Sequence, residues 1–411
     1  MALIYLVLFA SPQLLLFLYL RERLPVSARR WLALVFTIFN LPWLIVAGRM
    51  LSGSLWGISR IPYIAPFIAW QFLGWIFCGL VCLYLLGKGV WWVVRRASSV
   101  VRVGAVRGAS SVVPEVGQSD ARRTTDDARL SRRQFLARAT YAYAAAGLGL
   151  SAYGIWSVGR LPVVSRRTVF FPDLPLPLNG LRIAHVSDVH AGVHMPEEKM
   201  RELVRQTNAL GADLIVQTGD MIDISQAFIP EYVRAFRDLH APLGVVTVLG
   251  NHDRYTGQDA VIRGVRDAGQ VFVRNESHII ERGGAALALV GIDDPRNWRA
   301  DDPQDDDLEL ALRRTPPARE AFRILLAHRP GAFDGAIPRA IPLTLAGHIH
   351  GGQFYLPVIG WSPGRLITKY VMGHFQNGAS QLYVSRGIGV VGIPLRVFAP
   401  PEIALLELRR L

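Results

Sequence analysis

The sequence predicts an α/β domain with a largely parallel core sheet, preceded by an all-α membrane region. Three observations carry this. Short β-rich runs alternate with helical stretches from Leu181 onward. Long apolar runs occupy much of residues 2–86. All ten histidines follow residue 184, whereas the excess of positive charge lies before residue 161.

The apolar runs are Ala2–Leu20, Trp31–Ala47 and Pro62–Leu86. Each is long enough, or nearly so, to cross ~30 Å of hydrocarbon at ~1.5 Å per residue. Pro12, Pro42 and Pro66 are tolerated in spanning helices, and Trp91 and Trp92 follow the third run where an aromatic belt lies. Residues 1–94 are therefore expected to form a transmembrane region with three helices. The first connection holds Arg21, Arg23, Arg29 and Arg30, and the second only Arg49 and Arg60. That asymmetry places the first and third connections in the cytoplasm and the N-terminus outside.

Residues 95–138 carry ten Arg and four acidic residues with little periodicity, as expected of a basic, flexible cytoplasmic linker. Its end, Ser131-Arg132-Arg133-Gln134-Phe135-Leu136, resembles a twin-arginine export signal, with Ala137 in place of the usual Lys. A moderately apolar fourth segment, 139–158, follows. It is expected to be an uncleaved membrane helix that sends the large domain, 165–411, to the extracytoplasmic side of the cell membrane. The membrane and the twin-arginine export machinery are the partners this implies.

Net charge is +13, but residues 1–160 hold 18 Lys+Arg against 5 Asp+Glu, and residues 161–411 hold 27 of each. The large domain thus has no net basic excess, and no nucleic-acid partner is expected. The two cysteines, Cys78 and Cys82, lie in an apolar run, so the large domain has no disulfide and no thiolate ligand.

Within that domain Arg182–Ser187, Asp213–Thr218, Gly244–Leu249, Ala286–Gly291, Arg323–Ala327 and Pro342–Ala346 have the pattern of buried strands. Glu197–Leu210, Ile229–Leu239 and Gln258–Ala268 have helical spacing. Val271–Val273, His278–Ile280, Gln381–Ser385 and Glu402–Leu408 follow with fewer helices between them, which makes a mixed sheet the expectation.

The ends of these strands carry the chemistry. They are Ser187-Asp188-Val189-His190, Thr218-Gly219-Asp220, Gly250-Asn251-His252-Asp253, His328 and Gly347-His348-Ile349-His350-Gly351-Gly352-Gln353. Strand ends at one sheet edge are where α/β sheets bind ligands. Asp, His and Asn donors without thiolate suit hard or borderline divalent ions rather than a closed structural zinc site. Two such ions repel each other, and one bridging carboxylate relieves this while the pair activates water and polarises phosphoryl oxygens.

These motifs resemble the calcineurin-like metallophosphoesterase family, whose pattern D-x-H, G-D, G-N-H-[DE], H, G-H-x-H appears here in order. The G-H-x-H-G-G-Q form and Tyr383-Val384-Ser385-Arg386-Gly387-Ile388-Gly389 are similar to its membrane-associated bacterial branch. The resemblance implies a sandwich of two mixed β-sheets flanked by helices. It also implies two divalent metal ions (Mn, Fe, Zn, Co or Ni): Asp188, His190, Asp220 and His350 on one, Asp220, Asn251, His328 and His348 on the other. His252 is then the acid for the leaving group, and Asp253 orients it.

Of the other histidines, His185 is expected to be packed, His240 and His278 to lie at the surface, and His194 and His374 to be candidates for the cleft. The acidic run Asp301–Asp307 lacks the Gly and Glu of an EF-hand loop and is expected to lead into a helix N-terminus. The expected function is membrane-anchored hydrolysis of a phosphomonoester or phosphodiester, with lipid-linked phosphoesters among the expected substrates. Its alternatives are a lipid-linked nucleotide pyrophosphatase of the UDP-diacylglucosamine kind and a catalytically silent metal-binding receptor. The arginine asymmetry predicts that reporter fusions after Ser111 and after Leu411 report opposite compartments; two cytoplasmic signals would contradict it.

Overall fold

The computed structural model describes residues 25–40, 149–150, 152–295, 299–392 and 394–411, together with 14, 17, 18 and 20–22. The chain divides into two units, Met1–Leu150 and Ser151–Leu411. In the first, α1 (Val26–Asn40) is a 15-residue helix with Phe36 buried and Trp31 exposed. The expected membrane runs, the basic linker and the twin-arginine-like hexapeptide fall mostly or wholly outside the described residues. Among the described residues no helix is long and apolar enough to cross a membrane.

Among its described residues the second unit is built on twelve strands. The first six are β1 (Val163–Phe171), β2 (Arg182–Val186), β3 (Leu214–Thr218), β4 (Val245–Val248), β5 (Val271–Phe272) and β6 (Glu276–Arg282). The rest are β7 (Ala285–Gly291), β8 (Ala321–Leu326), β9 (Leu343–Ala346), β10 (Gly373–Asn377), β11 (Ser380–Val384) and β12 (Glu402–Arg410). Its helices are α2 (Glu197–Asn208), α3 (Ile229–Phe236), α4 (Asn251–Asp267), α5 (Asp305–Arg313) and α6 (Ala332–Ala336).

Strand order is β1-β12-β2-β3-β4-β5 in one sheet and β10-β11-β9-β8-β7-β6 in the other. β12 runs antiparallel to β2, β10 to β11 and β6 to β7, and the remaining pairs are parallel. The mixed sheet expected from the strand pattern is therefore two mixed sheets, as the family resemblance implied. Alternation shows where strands are, whereas the partner of β12 is chosen by packing across the whole chain.

Successive strand residues point to opposite faces, and both faces are covered. Ile183, Leu214, Val216 and Val248 of the first sheet meet Leu289, Ile324, Leu326 and Leu345 of the second in a central layer. Ala184 and Ile215, on the other face, pack under Met200, Leu203, Tyr232, Phe236 and Val265 of α2–α4. Val290 and Leu325 lie under Leu308 of α5 and Phe333 of α6. Burial on both faces is why the strands are continuous apolar runs.

The unit begins at Ser151, earlier than the expected 165. Two contacts explain this: β1 pairs with β12 along its length, and the Gly154 carbonyl accepts the Arg396 N–H at 3.0 Å. His185 is fully buried and bonded to Thr218, and burial pushes its pKa down to about 3. The acidic run enters α5 with Asp305, Asp306 and Asp307 in its first turn.

Ile324→Ala, in the layer between the sheets, is expected to lower unfolding stability by about 2–5 kcal/mol. Ile279→Ala, at 38% exposure on β6, is expected to stay within about 0.5 kcal/mol. Denaturant melts followed by circular dichroism compare the two, and equal losses would contradict the layer assignment.

Candidate metal centre

The C-terminal ends of β2, β3 and β4 from one sheet and of β8 and β9 from the other converge. Gly347 N–H donates to the His328 carbonyl at 3.0 Å within the second sheet, and His348 N–H donates to Asp188 Oδ1 at 3.0 Å, tying the two sheets together at this edge. The backbone is forced there. Among the described residues ten non-glycine residues have left-handed φ, and Asp188, His190, Asp220, His348 and His350 are five of them, at 50° to 73°. Such conformations cost on the order of 1 kcal/mol each and persist only where the surroundings impose them. Two glycines make room: a Cβ on Gly347 would lie 2.2 Å from Asp188 Oδ2, and one on Gly250 would lie 2.2 Å from Asp220 Oδ1.

Donor atoms gather in three overlapping groups, each within 4.8 Å: Asp188, His190 and His350; His190, Asp220 and His252; Asp220, His328 and His348. Asp220 Oδ2 stands 3.5 Å from His190 Nε2 and 3.2 Å from His328 Nε2, so one oxygen faces both outer groups. Asp188 Oδ1 lies 3.3 Å from His350 Nε2. Asn251 Oδ1 lies 3.1 Å from His328 Nε2. His190 Nε2 and His350 Nε2 face each other at 3.1 Å, as do His328 Nε2 and His348 Nδ1. Two imidazole lone pairs at that distance need a proton or a cation between them.

The buried carboxylates attract either one. Burial alone would raise Asp220, but His328, His252 and His190 pull it well below the usual carboxylate range. It therefore stays an acceptor, and its Oδ1 caps the start of α4 by accepting the His252 N–H at 2.8 Å. Against burial, Asp220 and Asp188 raise His328 to about 10; a metal drawn by the same carboxylates would have to displace that proton. Burial, then neighbouring cations, keeps His348 and His350 neutral, the form that ligates. The Thr218 carbonyl accepts from His328 Nδ1 at 2.7 Å, which leaves Nε2 as the free nitrogen. The donor set fits divalent metal.

Nine residues were expected at the centre, and the structure brings all nine to one edge, with one difference in detail. Asp253 does not hold the His252 imidazole. Its carboxylate accepts N–H groups from Asp220 at 2.7 Å, Ile222 at 3.0 Å and Gly250 at 2.9 Å. Neighbours in a helix point about 100° apart, so these two side chains cannot face each other. Asp223 takes the imidazole instead: its carbonyl lies 2.9 Å from His252 Nδ1 and its Oδ1 3.3 Å away. Burial opposes a charged ring, yet Asp223 and Asp220 raise His252 to about 9.

Arg396 was also missed. It is fully buried, donates to the carbonyls of Arg386, Gly389 and Ala399 at 2.9–3.0 Å, and reaches His350 Nδ1 at 3.0 Å. Neither residue belongs to a motif, and only the folded loops show what they touch. Of the two histidines proposed for the cleft, His374 is on β10, bonded to Gln381 at 2.7 Å. His194 is half-buried near Asp223. Neither joins the donor groups. A cleft of about 230 Å³ opens over Asp220, Asn251, His252, His348 and His350, with Ile349, Ile367 and Val391 on its wall.

Residues 181–352 match the family model described as calcineurin-like phosphoesterase. The chain is similar to the uncharacterized metallophosphoesterase YkuE of Bacillus subtilis, 32% identical over 68% of this chain and 98% of that one. It is similar to phosphodiesterase YaeI of Escherichia coli at 29%, over 68% and 99%. It also resembles a bovine transmembrane protein with metallophosphoesterase domain at 32%, over 63% and 60%. Among solved structures it is similar to TT1561 of Thermus thermophilus, with a TM-score of 0.35 and 16% identity over 51% and 91%.

Gly347→Ala is expected to displace Asp188 and lower the divalent metal retained per chain, with the circular dichroism spectrum preserved. Asp220→Asn is expected to do the same from the shared side. Wild-type metal content in either, by elemental analysis, would contradict the placement of these residues around the ions.

Proposed function

The chain belongs to the calcineurin-like phosphoesterase family and is a metal-dependent phosphoester hydrolase, and from that premise we propose a membrane-anchored enzyme that cleaves a phosphodiester at a two-metal centre. The observation that carries the two-metal reading is the single Asp220 oxygen facing both outer donor groups. Asp188, His190, Asp220 and His350 would hold one ion, and Asp220, Asn251, His328 and His348 the other. Such ions, when bound, supply a hydroxide nucleophile near neutral pH and Lewis-acid stabilisation of the phosphoryl oxygens.

The rest falls to the chain's own side chains. His252 lines the cleft with its ring edge-on to that of His190, centroids 4.7 Å apart. Because Nδ1 is engaged by the Asp223 carbonyl, Nε2 is the nitrogen able to give a proton to the departing oxygen. Asp223 acts as a positioning residue that fixes the ring and favours its charged form. Asp253 pins the backbone of Gly250, Asp220 and Ile222 and so keeps the α4 N-terminus against the Asp220 carboxylate.

The diester preference is supported by likeness to YaeI, a phosphodiesterase by name. Anchoring is supported by the apolar N-terminal runs and by the bovine relative, a transmembrane protein by name. The arginine asymmetry supports an extracytoplasmic large domain. A silent receptor would be marked by a missing donor or proton source, and here the full donor set and His252 are present.

His252→Gln is expected to keep both metals and to lose roughly 10²–10⁴-fold on diesters with an alkoxide leaving group, where a proton is needed. Esters that release p-nitrophenolate are expected to lose clearly less. Equal losses on both would show that His252 binds phosphate rather than protonating the leaving group.

A further inference from the structure

One wall of the metal cleft continues into a surface that a water-facing enzyme has little use for. Residues 356–361 form a closed hairpin: Leu356 N–H donates to the Trp361 carbonyl at 2.8 Å, and Trp361 N–H returns to Leu356 at 3.2 Å. Its tip is Pro357-Val358-Ile359-Gly360. A one-turn 3₁₀ helix, Pro363–Leu366, follows, with Ser362 Oγ accepting the Gly364 N–H at its start. These preformed turns hold their largest apolar side chains outward: Val358 is 96% exposed, Leu366 81%, Ile359 68% and Ile367 52%. Ile367, Pro363 and Gly364 also line the cleft over His348 and His350, so the apolar surface and the metal centre share an edge. Exposed apolar side chains grouped in one short segment mark a site of association rather than ordinary scatter.

Three further features say what covers it. Between Gln353 and Lys369 the chain carries Arg365 and Lys369 and no Asp or Glu, the combination of apolar and basic side chains that suits an anionic lipid interface. Trp361 lies at the base of the hairpin, and Trp156, 56% exposed, carries the Arg160 guanidinium 4.6 Å from its ring; such aromatic and arginine groups favour the headgroup layer. Most telling is where the chain enters the domain. The helical segment 152–159 is fastened to residues 395–398 by the Arg396 N–H on the Gly154 carbonyl at 3.0 Å and by the Tyr153 and Phe398 rings at 5.3 Å. Residues 395–398 are in turn joined to the base of the hairpin, Val397 N–H to the Gln353 carbonyl at 2.8 Å and Tyr355 N–H to the Val397 carbonyl at 2.9 Å. The segment that leads back to the apolar N-terminal runs therefore emerges beside the hairpin and not at a remote face.

We propose that segment 356–367 is a membrane-contacting wedge that seats Val358, Ile359 and Leu366 in the interfacial layer of a lipid bilayer and opens the metal cleft at that surface. The substrate is then a phosphoester in the headgroup of a bilayer-embedded amphiphile, reached without leaving the membrane. This rests on the reading of the centre as a phosphoester hydrolase.

The test uses the full chain with Cys78→Ser and Cys82→Ser, reconstituted in vesicles of phosphatidylethanolamine and phosphatidylglycerol. An environment-sensitive fluorophore is placed at Val358→Cys and, for comparison, at Arg319→Cys, which is 82% exposed and precedes β8 at the sheet edge remote from the cleft. The label at 358 is expected to shift to the blue and to lose most of its emission to a spin-labelled lipid, and the label at 319 to do neither. In the same vesicles Val358→Asp with Leu366→Asp is expected to reduce kcat/KM for a bilayer phosphodiester on the order of a hundredfold more than for soluble bis(p-nitrophenyl) phosphate, since each of the two apolar side chains removed from lipid is worth about tenfold. A label at 358 as wet as that at 319, or equal losses on the two substrates, overturns the wedge. A wild-type chain inactive on the soluble ester overturns the hydrolase reading instead, and the fluorescence comparison still decides the wedge.

Discussion

One buried carboxylate organises this molecule. Asp220 presents a single oxygen to imidazoles from both sheets, and every nearby element is arranged to let it do so. The left-handed backbone at Asp188, His190, Asp220, His348 and His350 aims five donors inward from strand ends that would otherwise splay. Gly250 and Gly347 remove the methyl groups that would strike Asp220 and Asp188. Asp253 satisfies three N–H groups around the turn, where an unpaired buried donor would cost about 1–3 kcal/mol each. The strain is local, and the apolar layer between the sheets supplies the rigidity that sustains it.

The two-sheet architecture follows from the same demand. Three strands of one sheet and two of the other end at the centre, so the sheets must meet edge to edge there while packing face to face elsewhere. The buried pair of Arg329 with Asp294, bonded twice at 2.7 and 3.0 Å, lies immediately after His328. It fixes the loop that presents that ligand, and breaking such a pair from one side leaves a buried charge uncompensated.

What was legible in the sequence was what depends on short-range pattern. Buried strands with both faces covered read as apolar runs, and β2, β3, β4, β8 and β9 fall within a few residues of their expected bounds. The ligands were legible because they sit at strand ends in short motifs rich in glycine. What depended on contact between distant segments was not. β1 and β10 are edge strands with polar residues such as Arg166, Arg167, Gln376 and Asn377, whose place is set by β12 and β11. The partner of His252 is Asp223, 29 residues from it in sequence but adjacent in space, and the adjacent Asp253 points elsewhere because a helix turns between them. Arg396 holds a loop against His350 through carbonyls that carry no sequence signal.

Two ions are proposed to share Asp220. The most direct measurement is anomalous diffraction from crystals of the full chain grown with manganese. Two peaks about 3.5–4 Å apart, both in coordination distance of the Asp220 carboxylate, are the predicted result. A single peak, or two peaks of which only one touches Asp220, would contradict it.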